Sequence, residues 1–185
     1  HLQLNGDHGW RMESLKFPKL HEIGSVRTST PPFGDPTGSD STEYAGYYPQ
    51  EKLKELIAHA NSRAITVVPT FTFTTGATSL IASYPELGDS PLKVANTWKD
   101  RKVSILQTES TLKFLDELLA EVAELFPAEI IRVEGGSSEF HDSLEKIIER
   151  HQKKLLLSDN IKTTDFSVYS RRREAELLLA AKLEA

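Results

Sequence analysis

Apolar and polar residues alternate along this chain in patterns that predict strands and helices following one another. Residues 1–5 place Leu2 and Leu4 on one face and polar side chains on the other, which is typical of a half-buried strand. One helix is predicted to begin after Pro49 and another to cover residues 109–125, because apolar residues recur there every three or four positions. The predicted core stripes of these helices are Leu53, Leu56, Ile57 and Ala60, and Leu112, Leu115, Leu118, Leu119 and Val122.

Two apolar runs predict further strands. Residues 64–69 form a β-branched run with the length of a buried parallel strand, and the alternating residues 70–75 either extend it or form a loop lined by hydroxyl groups. The run at residues 129–133 follows a break at Phe126-Pro127. Three strands that alternate with helices favour right-handed crossovers and a parallel sheet, so the predicted fold class is α/β.

Three more helices are expected. A short one is predicted around residues 78–84. Asp142, followed by Glu145 three positions later, has the form of a capping box and predicts a helix that begins there and reaches about residue 157. The last helix is expected from about residue 165 to the end of the sequence.

The loop after the third predicted strand is the leading candidate for a functional site. Two glycines followed by small polar residues let the backbone approach a ligand closely, and α/β folds place their chemistry at the carboxyl ends of parallel strands. The alternative is a tight turn that only leads into the helix predicted near Asp142. The residues of this loop are Glu134, Gly135, Gly136, Ser137, Ser138 and Glu139.

A second candidate loop follows the first strand. It combines two glycines with the carboxylate of Asp7, the imidazole of His8 and the indole of Trp10. Loops of this composition often face ligands, but an aromatic cap over the edge of the core is an alternative reading. We expect no metal and no cofactor.

Length and composition indicate one globular domain over residues 1–185. The chain is 38% hydrophobic, which is enough for a core at this length. Residues 28–46 are rich in Pro, Gly, Ser, Thr and Asp, so we expect a surface loop that is long enough to be a lid or a flexible loop. Because His1 already lies in a strand-like pattern, the natural amino terminus is expected upstream.

Charge and cysteine content exclude several function classes. The net charge is -5, and the one basic cluster, residues 171–173, is followed at once by Glu174 and Glu176, which favours a solvated helix face over a nucleic-acid partner. There are no cysteines, so disulfides and thiolate catalysis are excluded while the compartment stays open. No stretch approaches the roughly 18 apolar residues of a membrane span, and no membrane partner is expected.

Five blocks of the sequence carry a resemblance to a known family. Their order and approximate spacing are similar to those of family 20 glycoside hydrolases, the β-N-acetylhexosaminidases. The similarity extends from residue 1 to about residue 140. The blocks are HLQLNGDHGWR at residues 1–11, YYPQE at 47–51, ITVVP at 65–69, YPELG at 84–88 and EVAELFP at 121–127.

The resemblance implies part of a (β/α)8 barrel, in which this chain would carry the second, third and fourth strands with their helices. In that family the fourth strand ends in Gly-Gly-Asp-Glu, where the Glu is the general acid and base. The Asp orients the substrate's 2-acetamido group, which attacks the anomeric carbon. The partner implied by the resemblance is a glycan that contains N-acetylhexosamine.

The sequence departs from the family pattern at the positions of the catalytic residues. When the comparison is anchored on Phe126-Pro127, the Asp-Glu pair falls on Gly136 and Ser137. When it is anchored on the two glycines, the pair falls on Ser137 and Ser138. Both carboxyl groups are absent in either case, and a serine hydroxyl cannot protonate a glycosidic oxygen near neutral pH.

The segment that corresponds to the third barrel strand of the family, residues 69–76 of this chain, departs from the family pattern in the same way. Two acids and a histidine of the family pattern are replaced here by Thr70, Thr72 and Gly76. Loss of one such group commonly costs about 10²- to 10³-fold or more in rate. The resemblance therefore implies the family fold together with little or no activity.

Two function classes remain open. In the first, the chain is a glycosidase segment with Glu139 shifted into the acid role and with Asp7, His8 and Trp10 on the sugar; Glu139 is alternatively an ordinary loop carboxylate. In the second, the chain is a non-catalytic barrel fragment that acts as a scaffold or assembly unit. Three parallel strands cannot close a barrel of eight, so we expect a homo-oligomer or contact with a complementary barrel fragment.

Overall fold

The computed structural model describes residues 1–97 and 103–157. Four strands form one parallel sheet, and the helices cover one of its faces. In chain order the elements are β1 (Leu2–Gln3), α1 (Lys19–Glu22), β2 (Val26–Arg27), β3 (Tyr44–Ala45), α2 (Gln50–Asn61), β4 (Pro69–Thr72), α3 (Thr78–Ser83), a 3₁₀ turn (Pro85–Leu87), α4 (Glu109–Leu125), β5 (Ile130–Glu134), α5 (Ser138–Arg150) and β6 (Lys154–Leu157). The helix predicted from residue 165 and the basic cluster at 171–173 lie outside the described residues.

The sheet has the order β1-β4-β5-β6, and every neighbouring pair is parallel. The parallel arrangement of the first three predicted strands, in this order, is confirmed. Residues that lie opposite one another in neighbouring parallel strands point to the same face of the sheet. One such row of partners crosses the whole sheet and consists of Gln3, Thr70, Arg132 and Leu156.

The strand predicted at residues 64–69 lies later in the chain, where it is β4, Pro69–Thr72. Ala64 adopts a left-handed backbone conformation, with φ of 58°, in the turn that follows α2. The strand itself, β4, is set by its pairing with β1, since the N–H of Leu4 donates to the carbonyl oxygen of Thr70 at 3.0 Å. The alternating run at residues 70–75 therefore supplies most of this strand.

Helix α5 begins four residues before the predicted start at Asp142. The hydroxyl of Ser137 accepts the N–H of Phe140 at 3.3 Å, which is the hydrogen bond of an N-terminal cap. This cap places Glu139 in the first turn of the helix. The capping box predicted at Asp142 and Glu145 is therefore wrong, because the serine of the glycine loop caps the helix first.

The chain after α5 forms a fourth strand that the sequence analysis did not predict. The helix was expected to reach about residue 157, but it ends at Arg150, and Gln152 takes a positive φ of 59° in the turn that follows. Residues Lys154–Leu157 then pair with β5. A short run of leucines fits a helix and a strand equally well, so its partner strand decides the outcome.

The core lies between the sheet and the helices. From the sheet it receives Phe71, Ile131 and Val133, while Arg132 and Glu134 of the same strand β5 point to the opposite face. The helices contribute residues that the periodicity predicts; these are Leu53, Ile57, Leu115, Leu118, Leu119 and Val122. Leu56 is exposed, so the buried stripe of α2 is narrower than predicted. Within the described ranges, no helix is long and apolar enough to cross a membrane.

A two-stranded antiparallel ribbon encloses residues 28–43, so its second strand, Tyr44–Ala45, falls within the range 28–46 that was predicted to be a surface loop. Val26 lies opposite Ala45, and Arg27 lies opposite Tyr44. Most side chains between the two strands are exposed. The ribbon brings both ends of this long segment together beside the loop that follows β1.

Candidate functional site

The carboxyl ends of β1 and β4 are tied together by two hydrogen bonds. The Asn5 amide nitrogen donates to the carbonyl oxygen of Thr72 at 2.7 Å, and its amide oxygen accepts the N–H of Thr72 at 2.8 Å. Asn5 is buried, so these bonds are shielded from water. They bring the loop with Asp7 and His8 next to the loop that follows β4.

Asp7 and His8 both have hydrogen-bond partners in this loop. Asp7 is buried, and its carboxylate accepts hydrogen bonds from the hydroxyl and the N–H of Thr78, the first residue of α3. The Nε2 of His8 lies 2.6 Å from the carbonyl oxygen of Thr97 and donates to it. Asp7 thus supplies the acceptor for the start of α3, and His8 holds the backbone of Thr97.

Trp10 is a core residue. Its side chain is fully buried, its ring stacks on Phe71 with centroids 5.8 Å apart, and its indole N–H donates to the carbonyl oxygen of Met12. No ring face is left for a sugar. Trp10 therefore packs as an aromatic cap over the core and does not face a ligand.

Two arginines, which the sequence analysis did not single out, organise the outer side of the same loop. Arg11 donates to the carbonyl oxygens of Gly46 at 2.7 Å and His8 at 2.6 Å, and burial lowers the pKa of its guanidinium. Arg27 also donates to the His8 carbonyl, at 3.2 Å. Both guanidinium groups contact the ring of Tyr44, whose centroid lies 5.1 Å from the guanidinium carbon of Arg11 and 4.2 Å from that of Arg27.

The glycine loop after β5 packs closely on the loop after β4. Gly135 has φ of 71°, and a Cβ atom placed on it would lie 2.9 Å from the Thr75 hydroxyl and 3.0 Å from that of Thr74. Gly136 has φ of 131°, and its Cβ would lie 2.5 Å from Nε2 of His141. Only glycine fits both positions without strain.

Ser138 and Glu139 are exposed on the first turn of α5. The carboxylate of Glu139 makes no hydrogen bond or ion pair with any other residue in the ranges 1–97 and 103–157. Ser138 borders a groove of about 280 Å³, which is also lined by His141, Asp142, Glu145, Leu155 and Leu157.

His141 is a polar group at this face that sequence reasoning missed. Its Nε2 lies 3.1 Å from the carbonyl oxygen of Gly135, so the imidazole holds the glycine loop from the helix side. Its position three residues after Ser138 was the available signal, since residues three apart on a helix share a face. That signal required the correct start of α5.

The sheet face away from the helices carries an ion pair. Nη2 of Arg132 lies 2.9 Å from Oε1 of Glu134, and the Glu134 side chain is 38% exposed. The Nε of Arg132 is buried and has no hydrogen-bond acceptor in the described part of the chain. In the neighbouring strand, Thr70 and Thr72 lie beside this pair.

The groups at the carboxyl ends of the strands are hydroxyls, the imidazoles of His8 and His141, and several carboxylates, of which that of Glu134 is paired with Arg132. In the ranges that the structure describes, no cluster of three or more His, Asp or Glu residues is placed to hold a metal ion. The geometry supplies hydrogen-bonding groups for a polar ligand. It supplies no carboxyl pair at the end of β5.

A comparison with protein families identifies this fold. The family model described as glycosyl hydrolase family 20, catalytic domain, matches residues 1–170. The chain belongs to glycosyl hydrolase family 20. The resemblance carried by the five sequence blocks is thereby confirmed, and the match extends beyond its expected end near residue 140.

Curated relatives in this family are considerably longer than the chain. It is 28% identical over 192 residues to a β-hexosaminidase of Porphyromonas gingivalis, which covers 87% of this chain and 24% of that protein. It is 33% identical over 150 residues to a β-hexosaminidase of Vibrio furnissii, which covers 78% of this chain and 24% of that protein. The chain therefore spans about a quarter of the length of these family 20 relatives.

Solved structures show the same fold. A β-N-acetylhexosaminidase matches with a TM-score of 0.72 at 22% identity, covering 83% of this chain and 38% of that one. A family 20 β-N-acetylhexosaminidase from Streptomyces coelicolor A3(2) matches with a TM-score of 0.70 at 22% identity, covering 85% and 32%. The four-stranded parallel sheet is thus part of the (β/α)8 barrel of family 20.

Proposed function

We propose that this chain is a β-N-acetylhexosaminidase-like segment whose hydrolysis of N-acetylhexosaminides is very weak or absent. Membership of family 20 supports the substrate class, since relatives in the family are named β-hexosaminidases. One observation supports the loss of activity: the polar side chain that follows the two glycines is a serine whose hydroxyl caps α5. The end of β5 therefore offers neither the proton donor nor the orienting carboxylate of the family mechanism.

Glu139 is the nearest remaining candidate for an acid. A general acid has to be held within hydrogen-bond reach of the atom that it protonates, which its surroundings in the protein must ensure. Glu139 is exposed on the first turn of α5 and has no charged partner among the residues that the structure describes. Any residual hydrolysis that uses Glu139 is accordingly expected to be slow.

A glycan would bind through the loops at the carboxyl ends of the strands. Asp7 and His8 belong to this face, where Asp7 accepts a hydrogen bond from Thr78 and His8 donates one to Thr97. Gly135 and Gly136 would present backbone groups, because neither has a side chain to block close approach. Trp10 is left out of this proposal because it is buried.

Activity of the purified chain on a chromogenic N-acetyl-β-glucosaminide tests the proposal. We expect turnover at least several orders of magnitude below that of an intact family member, because several groups that act together are absent. Glu139→Gln should abolish any residual turnover, whereas Glu149→Gln, an exposed change near the far end of α5, should leave it unchanged. Robust turnover that survives Glu139→Gln would contradict the proposal.

A restoring variant provides the complementary test. Ser137→Asp together with Ser138→Glu returns both carboxyl groups under the alignment anchored on the glycines. Asp is a good N-terminal cap and Glu is favourable in a first helical turn, so α5 should still begin at the same residue. A rise in turnover above that of the unchanged chain is expected, and Ser137→Asn with Ser138→Gln is the uncharged control.

A second candidate function is that of a non-catalytic scaffold or assembly unit. The observation in its favour is that β1 and β6 each pair on one side only within the described residues. Open strand edges bind other strands through their unpaired N–H and C=O groups. The partner would be another copy or a complementary barrel fragment, and the oligomeric state at several concentrations tests it.

A further inference from the structure

The backbone of His8 is held by two arginines from different parts of the chain. Its carbonyl oxygen accepts hydrogen bonds from Nη2 of Arg11 at 2.6 Å and from Nη1 of Arg27 at 3.2 Å. Hydrogen bonds from a charged donor are stronger than those between neutral groups. The imidazole is held at its other end, since Nε2 donates to the carbonyl oxygen of Thr97 at 2.6 Å. The orientation of His8 therefore depends on both arginines.

Both arginines are anchored in the ribbon formed by β2 and β3. Arg27 lies in β2 opposite Tyr44 of β3, and both guanidinium groups contact the Tyr44 ring. Arg11 reaches the ends of the two strands, because it donates to the carbonyl oxygen of Ser25 at 3.0 Å and to that of Gly46 at 2.7 Å. The ribbon is thus joined directly to the loop that follows β1.

Gly9 makes room for the guanidinium of Arg11. Its backbone φ is 146°, and a Cβ atom placed on it would overlap Nη2 of Arg11. The arginine side chain folds back over this position to reach the carbonyl oxygen of His8. Glycine allows such a close approach in this backbone conformation, because it has no side chain. The loop is therefore built around the contact between Arg11 and His8.

The arrangement is electrostatically unfavourable for Arg11. Burial lowers the pKa of its guanidinium, and the neighbouring cation of Arg27 lowers it as well. Within the ranges 1–97 and 103–157, no carboxylate forms an ion pair with Arg11, so carbonyl oxygens compensate its charge. Perturbed charges of this kind are concentrated at functional sites. The two like charges favour a functional role for the contact with His8 over a role in stability alone.

We propose that Arg11 and Arg27 are positioning residues for glycan binding, which fix the backbone at His8 and with it the loop that follows β1. They act through His8 and are assigned no contact with the sugar. The inference rests on the proposed function, from which it takes N-acetylhexosamine as the ligand class. It adds the ribbon of β2 and β3 to the site, although this ribbon is separate from the parallel sheet.

Isothermal titration calorimetry with N-acetylglucosamine tests the role of Arg27. Arg27→Met removes the hydrogen-bond donors and keeps an unbranched side chain beside Tyr44, so the dissociation constant should rise by about 10-fold or more. Arg27→Lys keeps a charged donor and should restore part of the affinity. Arg63→Met is the control and should bind as the unchanged chain does, because Arg63 is exposed and its hydrogen bonds stay at the end of α2, with His59 and Ser62.

Two results of this titration would overturn the proposal. One is an equal dissociation constant for Arg27→Met and Arg63→Met, and the other is the absence of binding by the unchanged chain. Turnover is measured separately from affinity. Robust hydrolysis would contradict the proposed function, whereas the comparison of dissociation constants decides the role of the arginines.

NMR of the histidine side chains separates positioning from a general loss of stability. In Arg27→Met the imidazole nitrogen signals of His8 should shift, whereas those of His141, which contacts the glycine loop, should stay in place. Thermal unfolding shows whether each variant is folded, and Arg27→Lys carries the same comparison if Arg27→Met does not fold. An unchanged His8 signal, or equal shifts at both histidines, would overturn the assignment of a positioning role.

Discussion

Asn5 and Thr72 exchange two hydrogen bonds across 67 positions of the sequence, through one side chain and one backbone unit. β1 ends at Gln3, and the N–H of Leu4 still donates to the carbonyl oxygen of Thr70, so the side-chain amide of Asn5 follows directly after the last backbone hydrogen bond. It continues the connection between β1 and β4 beyond the ladder. The two loops of the candidate site are therefore positioned by a buried amide.

Replacing this amide should destabilise the fold. In Asn5→Leu, the N–H and carbonyl oxygen of Thr72 lose their partners in a buried position, which costs about 1–3 kcal/mol in the free energy of unfolding. Asn61→Leu is the matched control at an exposed helix end, where a change within roughly 0.5 kcal/mol is expected. Denaturant unfolding of both variants gives the comparison, and equal stabilities would contradict this role for Asn5.

Glu121 connects α4 to two other segments. Its carboxylate accepts hydrogen bonds from the Ser14 hydroxyl at 2.6 Å, from the N–H of Leu15 at 2.6 Å and from the Gln50 side chain at 2.7 Å. Glu121→Gln replaces one acceptor by a donor, so we expect a loss of roughly 1–3 kcal/mol in the free energy of unfolding.

The control for Glu121 lies one turn further along the same helix. Glu124 is exposed and makes no hydrogen bond or ion pair within the described ranges, so Glu124→Gln should leave the unfolding midpoint almost unchanged. The prediction fails if both variants unfold at the same denaturant concentration.

Gly135 and Gly34 allow backbone strain to be separated from packing. Both have positive φ, 71° and 86°, but a Cβ atom on Gly34 would meet nothing within 4 Å. Each change to alanine should cost about 1 kcal/mol for the left-handed conformation. Gly135→Ala should cost more, because its methyl group would press against the hydroxyls of Thr74 and Thr75. Thermal unfolding measures the difference, and equal losses would show that the glycine loop is loosely packed.

The carboxylate of Asp40 makes the stability of its loop depend on pH. Hydrogen bonds from the N–H groups of Thr30 and Thr42 hold the pKa of Asp40 below its ordinary value. A depressed pKa contributes stability that is present above the ordinary aspartate value and is lost as the pH falls through the folded value. The amide protection factor of Thr30 should therefore fall below about pH 4.

Two variants control this measurement. Asp40→Asn keeps an acceptor that does not titrate, so the protection of Thr30 should no longer change in this acidic range. Asp89→Asn changes an exposed aspartate for which the structure describes no partner, and it should retain the fall. A constant protection factor in the unchanged chain, down to the acid limit of folding, would refute the assignment to Asp40.

The spacing of apolar residues was sufficient to predict an element wherever the contacts that stabilise it join residues close together in the sequence. Helix α4 follows from the spacing of Leu115, Leu118 and Leu119, because helical hydrogen bonds join neighbours in sequence and one stripe is buried. The parallel order of β1, β4 and β5 follows from strands alternating with helices, since crossovers of this kind have few allowed topologies.

The spacing of apolar residues did not predict the structure where the same residues fit two different elements or two different helix starts. Leu155 to Leu157 continue a helix or form a strand equally well, and pairing with β5 selects the strand. Ser137 and Asp142 are both good helix caps, and the first one reached after the glycine turn begins α5.

By itself the sequence determined the family, the α/β class and the absence of a carboxyl pair after Gly135-Gly136, because these depend on residue identity and order along the chain. Only the tertiary structure decided that Trp10 stacks in the core and that the carboxylate of Asp7 serves the start of α3. Both outcomes are contacts between residues more than 60 positions apart. Such contacts depend on which segments pack together, and residue spacing within one segment carries no information about that.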